Sequence, residues 1–531
     1  MTFIKAFFYR LLLVTGIMAL LPTVIIAIPL NNIYDPQPLY NYHCTDKVYK
    51  KRSGREFRFH ISPFYQHANT ARNKDGKKVA GGDRLGPWNF FGLFFDGRVG
   101  VGDTTLASKA FNSDNYPKLY EAQQAVGNIT TVVNNDAAVI INIAGAPLLD
   151  GATPAVSPYR LGTRASTAAY TANVLGDMTF KPQFEKLQPD FALVSVPTRY
   201  EKIGVRVQMN FDMGMGLGIS VRGGAVEIKN KPRGFGYDSK IAADLGLASL
   251  SDMPAYTPND QSKADAQAFN DNLLSAKALG KIGKELNYNT SGFHVTSPED
   301  VHTQVYWHAA IPCRDKSGDV GVTVVPYVGF GAWIPLSEKF DTNNAFAVPV
   351  SNRQQSFGAT ADFSLGFDFP VLPSSKSGKE SLGISFGGGG LLFDADTQTN
   401  QRFPSSDTQV GLIPWTVGSV RCAPGGTWYL NASLKAEEFV EGLSVYTDFC
   451  YTQHEQDTIS VSDSNSGKQA LFQEGVAQTQ DDSGWKNQQV SVGFNYAITP
   501  TIAFSAAAQG HISGVRVHRT VTILGGLTVT F

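Results

Sequence analysis

The residues best equipped for chemistry in this chain are charged side chains set at every second position of otherwise apolar runs. Arg58, Arg206, Arg222, Asp362, Asp368, Lys435 and Asp448 each alternate with Val, Ile, Leu or Phe neighbours. A two-residue period puts all of them on one face of a strand and the apolar residues on the other. A wall carrying both signs of charge sets up a transverse field or a selective constriction. The plainer outcome is that the charges pair with each other and fill the interior.

Other candidates are weaker. The stretch 383–387 reads GISFG, a pattern that in hydrolases holds a serine on a strand-to-helix turn. Here GGGLLF follows, which continues a strand, so Ser385 is not read as a nucleophile and no catalytic residue is expected. His302 and His308 share a face of VHTQVYWH, but six strand residues separate them by about 20 Å, too far for one ion. The acidic residues Asp244, Asp252, Asp481 and Asp482 lack calcium-loop spacing. The expectation is no metal, no cofactor and no enzyme.

The elements that position the charges are strands. Alternation recurs in FRFHI, IGVRVQMNFD, SFGATADFSLGFDF and VSVGFNYAI, with runs of about 10–14 residues, longer than the strands of soluble proteins. Strands are expected near 55–66, 88–101, 170–180, 201–212, 217–229, 301–311, 320–334, 356–369, 381–393, 427–436, 439–451, 487–498, 501–512 and 519–531. Two stretches break the rhythm. One insertion, 110–170, includes a helical patch and is a candidate plug; the other, 235–295, has helical spacing at Phe269, Leu273, Leu274 and Ala278.

Composition fits strands with one face in lipid. The 531 residues carry a net charge of −1, so there is no basic excess to suggest nucleic acid. Charged residues make up only 17%, with 52 Gly, 34 Phe and 20 Tyr. Residues 1–27 have a basic start, an apolar stretch and a small residue at Ala27, the layout of a signal peptide. Residues 28–54 are then a periplasmic segment and 55–531 the barrel.

The last strand, RTVTILGGLTVTF, ends on Phe531 and alternates apolar with threonine. It resembles the C-terminal strand of bacterial outer-membrane β-barrels, whose terminal aromatic is read by the assembly machinery. The resemblance implies an all-β fold, an antiparallel transmembrane barrel of about 14 strands (12–16) with short helical insertions, in the cell outer membrane. Its partners would be outer-membrane lipid, the barrel assembly machinery and small solutes, with a homo-oligomer permitted. The role it implies is a porin-like channel for passive passage of small solutes. The strand count and the 110–170 insertion are also similar to fatty-acid-type hydrophobic solute transporters. A third reading is a surface anchor whose loops bind a partner.

Of the four cysteines, Cys422 and Cys450 are expected to form a disulfide, because a hairpin turn near Glu437–Glu438 sets Cys450 close to Cys422 in an oxidising compartment. The pairing of Cys44 and Cys313 is left open. Deleting Phe531 is expected to leave export intact and to block insertion. Loss of the heat-modifiable band on a gel, with the protein still exported, is the outcome to look for.

Overall fold

The computed structural model describes residues 56–85, 88–89, 100–101, 104–105, 193–194, 196–233, 288–314, 316, 318–338, 341–351, 357–370, 380–403, 416–461, 476–477 and 479–531. Twelve strands close one antiparallel barrel. They are β1 (Glu56–Ala68), β2 (Thr198–Gly214), β3 (Leu217–Pro232), β4 (Val301–His308), β5 (Val320–Ile334) and β6 (Gly358–Pro370), followed by β7 (Ser381–Phe393), β8 (Thr427–Val440), β9 (Leu443–His454), β10 (Trp485–Ala497), β11 (Ile502–Val515) and β12 (Val521–Thr530). Closure is at β1, which pairs along one edge with β2 and along the other with β12. Two shorter strands join the sheet outside the ring: Phe293–Pro298 on β3 and Ile311–Arg314 on β5.

This pairing corrects the expected fourteen strands. With both edges of β1 taken, no place remains between β1 and β2 for strands at 88–101 or 170–180. What is described of the first is Trp88–Asn89, paired with Leu193–Val194, and Gly100–Val101, paired with Thr104–Thr105. Residues 170–180 lie outside the described residues, as do 1–55, the insertion 110–170 and the expected helices of 235–287. The described end of the second insertion is extended, in Phe293–Pro298.

The start of β1 and the last residues of the chain share one end of the barrel, where Arg58 faces Thr530. Tight connections gather there: Met215–Gly216, Glu441–Gly442 and the turn at 498–501. Gly442 has φ 74°, the left-handed conformation a turn needs and most side chains resist. The turn between β8 and β9 lies beyond the expected Glu437–Glu438, because the strand continues through an irregularity between Glu437 and Val440.

That offset also undoes the expected disulfide. Cys450 faces Asn431 and Gln489 in the barrel wall. Cys422 lies in a separate three-stranded sheet, opposite Asp396 and Ile459. It packs there in a small core with Val420, Ile459 and Val476. No bond joins the two sulfurs.

Alternation decides which face meets lipid. Along β6, Ala359, Ala361, Phe363 and Leu365 are exposed while Gly358, Thr360, Asp362 and Gly366 are buried. Phe363, Phe386, Val492 and Ile523 are 57%, 57%, 59% and 59% exposed, part of an apolar belt that runs around the ring. Thirteen-residue strands such as β6 extend for about 43 Å, enough to cross a bilayer at the usual tilt of about 35–45°. No slip of register by one residue is tolerable, because it would turn every inward charge into hydrocarbon. Accordingly, Phe363→Arg should lower barrel stability by about 2–4 kcal/mol, the cost of a cation near the bilayer midplane. Urea unfolding from liposomes measures it.

Candidate functional site: the charged barrel interior

All seven charged positions singled out by alternation face inward. Arg206, Asp362, Lys435 and Asp448 are buried, and Arg58, Arg222 and Asp368 partly so. The structure does not bring them together as one group. It distributes them among clusters at different heights, each completed by residues that alternation alone did not single out.

The cluster farthest from the termini forms around Glu299. The Arg206 guanidinium grips its carboxylate with two parallel bonds, Nε to Oε2 at 2.6 Å and Nη2 to Oε1 at 2.7 Å. Lys202 Nζ reaches Oε1 at 2.8 Å. Arg206 also stacks over the Phe64 ring at 4.2 Å. A forked, nearly buried contact of this kind is rigid and directional. Lys202 donates a second bond, at 3.0 Å, to the carbonyl of Val350.

Val350 belongs to a segment, 344–351, that follows β5 and lies against the inner wall. Phe346, Ala347 and Val348 are fully buried. Asn230 on β3 donates to the Phe346 carbonyl at 2.9 Å, and Asn344 donates to the Gly292 carbonyl at 2.9 Å. The carboxylate of Asp300 accepts the backbone N–H groups of Leu336 and Ser337, both at 3.0 Å. The segment is therefore tied to the wall at several points along its length.

Its anchor is a break in the wall. In Phe293–Pro298 the odd-numbered residues are the more buried, whereas in β4 the even-numbered positions 302, 304 and 306 are buried. One extra residue between the two pieces shifts the phase, as a bulge does. Glu299 and Asp300 consequently both turn inward. Gly224 gives the room: a Cβ there would sit 2.9 Å from Glu299 Oε2 and 2.7 Å from the Val205 carbonyl.

The middle cluster draws on five strands, β3, β4, β5, β6 and β8. His302 contacts Arg222 at 3.4 Å and Thr360 Oγ1 at 3.0 Å. Gln304 donates to Asp362 and accepts from Tyr327 OH at 3.0 Å. Tyr429 OH donates to Asp362 Oδ1 at 2.6 Å. Tyr429 and Asp362 are two strands apart, with Gly389 between them in register. Nearer the termini, Asp368, Gly383 and Lys435 form a similar row, and Lys435 pairs with Glu437 at 2.8 Å. Gly383 and Gly389, in and just after the GISFG stretch, are thus gaps that let neighbours meet. His308 belongs elsewhere, with Asp212 at 3.3 Å, so the two histidines are separate.

Sequence reasoning missed Lys202, Glu299, Gln304 and Tyr429. Lys202 shares the parity of Arg206 and could have been found by extending that run. Glu299 could not, because the bulge cancels the period.

No family model matches the sequence, and no curated protein matches it. Among solved structures, an outer membrane channel from Pseudomonas putida F1 is similar over 92% of this chain and 99% of its own, with 6% identity and a TM-score of 0.40. The transport unit of the autotransporter AIDA-I from Escherichia coli is 10% identical over 63% of this chain and 84% of its own, with a TM-score of 0.28. The toluene transporter TodX of Pseudomonas putida is 7% identical over 64% and 72%, with a TM-score of 0.22. Likenesses this distant say nothing about activity. The chain has the architecture of an outer-membrane β-barrel on its own geometry: a closed ring, an apolar outside and a polar inside.

Gly389→Val should therefore destabilise the barrel by about 1–3 kcal/mol, the usual range for overpacking. Its Cβ would fall 2.3 Å from Asp362 Oδ1 and 2.7 Å from Tyr429 Cε1. Gly390→Ala is the control, since its Cβ meets nothing closer than 3.8 Å. Urea midpoints of the two variants should separate clearly.

Proposed function

We propose that this protein is an outer-membrane channel for passive passage of small polar solutes. In this reading segment 344–351 narrows the path where it lies against Lys202, Glu299 and Arg206. The observation that supports it is the inward wall itself, where charges of both signs alternate with Ser, Thr, Asn and Gln. Such a wall offers hydrated solutes replacement hydrogen bonds as they shed water, and opposed charges orient dipolar ones. The tied-in segment supports it too. A barrel serving only as an anchor has no need to hold a loop against its inner wall by side chains from two strands, as Lys202 and Asn230 do here.

The apolar belt would be surrounded by outer-membrane lipid, with the termini on the periplasmic side. Arg58, Arg222, Asp362, Asp368, Lys435 and Asp448 would line the path beyond the narrow zone.

Planar-bilayer recording tests this reading. The wild-type protein should show stepwise current. Replacing 341–349 with a short Gly/Ser linker should enlarge each step, because the segment no longer occupies the interior. Absence of current from both proteins would rule the channel out.

A further inference from the structure

The barrel end opposite the termini carries a second cluster of cations, quite different from the paired charges inside. A small antiparallel sheet extends β1 and β11 there: Lys78–Ala80, Thr70–Arg72 and Val517–His518. Arg72 stands directly opposite Lys78 in the register. Like charges facing each other across a strand pair repel and destabilise it. Arg519 adds a third cation, because its backbone N–H donates to the Thr70 carbonyl at 2.9 Å and its Nη1 to Thr70 Oγ1 at 3.4 Å. Thr70 and Arg72 share a face, so the three cations converge.

His511 borders the same place. Its backbone N–H donates to the Thr520 carbonyl at 3.2 Å, beside Arg519. The next residue, Ile512, offers its carbonyl to Arg72 Nη2 at 3.2 Å. The positive fields of Arg72 and Arg519 both reach the His511 ring. The ring's Nδ1 is engaged by Asn487 at 2.8 Å.

Among the described residues, the neutralising carboxylates of this rim are engaged elsewhere. The rim carboxylates Asp481 and Asp482 are held by Arg516 at 2.6 and 3.4 Å. Among the described residues, Arg72 Nε and Arg519 Nε are shielded from solvent and make no hydrogen bond. Shielded guanidinium N–H groups beside other cations are costly unless a ligand satisfies them. His518, on the opposite face, adds nothing: burial first, and then Arg84, bring its imidazole down to about 3, so it stays neutral.

We propose that Arg72, Lys78 and Arg519, with His511 only bordering them, form a binding site for a tetrahedral oxyanion of the phosphate class at this rim. Arg72 Nη1 also donates to the Gly76 carbonyl at 2.9 Å, so the two guanidinium groups offer an anion their remaining N–H donors, where a lysine alone would act as a point charge. The same chemistry is presented by a phosphorylated lipid headgroup of the surrounding leaflet and by a dissolved phosphate. The site does not depend on the channel reading, so an absence of conductance leaves it standing.

Titration calorimetry of the full chain in detergent micelles tests it, with inorganic phosphate as the probe and chloride at matched ionic strength as the control. Wild-type protein should bind phosphate, and R72Q/R519Q should bind it at least about tenfold more weakly. The heat-modifiable gel shift verifies that the double variant is folded. Lys78→Gln changes only an exposed side chain, keeps the rim folded in any case, and should weaken binding about threefold. Micelles preloaded with a phosphorylated glycolipid separate the two sources: lost phosphate binding identifies the headgroup, and unchanged binding identifies the dissolved anion. Equal phosphate affinity in wild type and all variants, or none in the wild type, would overturn the proposal.

Discussion

A bilayer core offers backbone polar groups no water, so every N–H and C=O crossing it must find a partner within the sheet. The seam between β1 and β12 is where this requirement is met or fails. Without it the ring would have two unpaired edges in hydrocarbon. The seam runs to the last residue: Phe531 N–H donates to the Phe57 carbonyl at 2.8 Å, and Phe57 N–H to the Phe531 carbonyl at 3.3 Å. Their rings lie 6.0 Å apart. Once the ring closes, parity is fixed on every strand, and the segregation of charge inward and apolar side chains outward follows.

Closure creates a second problem, which glycine solves. Long polar side chains crowd the inner face of a narrow barrel, and each buried charge needs a partner because the interior is a poor dielectric. A glycine in a row makes room for large inward residues on the strands to either side. Placing Gly383 and Gly389 on β7 leaves β6 and β8 free to meet across it, as Asp362 meets Tyr429. The cost is a glycine-rich strand with little intrinsic preference for extended structure. Hydrogen bonding to β6 and β8 on both sides offsets it.

These two demands explain what the sequence discloses. Strands such as β2, β6 and β10 are legible because both faces are constrained, one by lipid and one by polar contents, so the period is unbroken over a dozen residues. The inward charges on them could be placed by counting. Strand number was overestimated because the residues at 88–101 are aromatic and glycine-rich, like a strand, while the pairing that excludes them is non-local. The hairpin between β8 and β9 was misplaced for a related reason: Glu438 adopts a positive φ of 55° within the strand, which looks locally like a turn. Partners across strands, such as Gln304 for Asp362, depend on stagger between strands, which no single run encodes.

The bulge at Glu299–Asp300 shows how a local irregularity can build a feature that regular strands cannot. In an uninterrupted strand, consecutive residues face opposite ways, and one of these two acids would point into lipid. One extra residue lets both turn inward, and they divide the work. Glu299 neutralises Lys202 and Arg206 on the neighbouring wall, while Asp300 holds the backbone of Leu336 and Ser337 where the chain leaves β5. Pro298 suits the position before the break, since it has no N–H to leave unpaired where the ladder is interrupted. The same interruption stops β5 at Ile334, opposite Val301, and releases the chain that becomes the inward segment. The wall defect, the ion cluster and the segment tied to it are therefore one structural unit. Breaking the Glu299 contacts would loosen all three, because Lys202 is bound to both the carboxylate and the Val350 carbonyl.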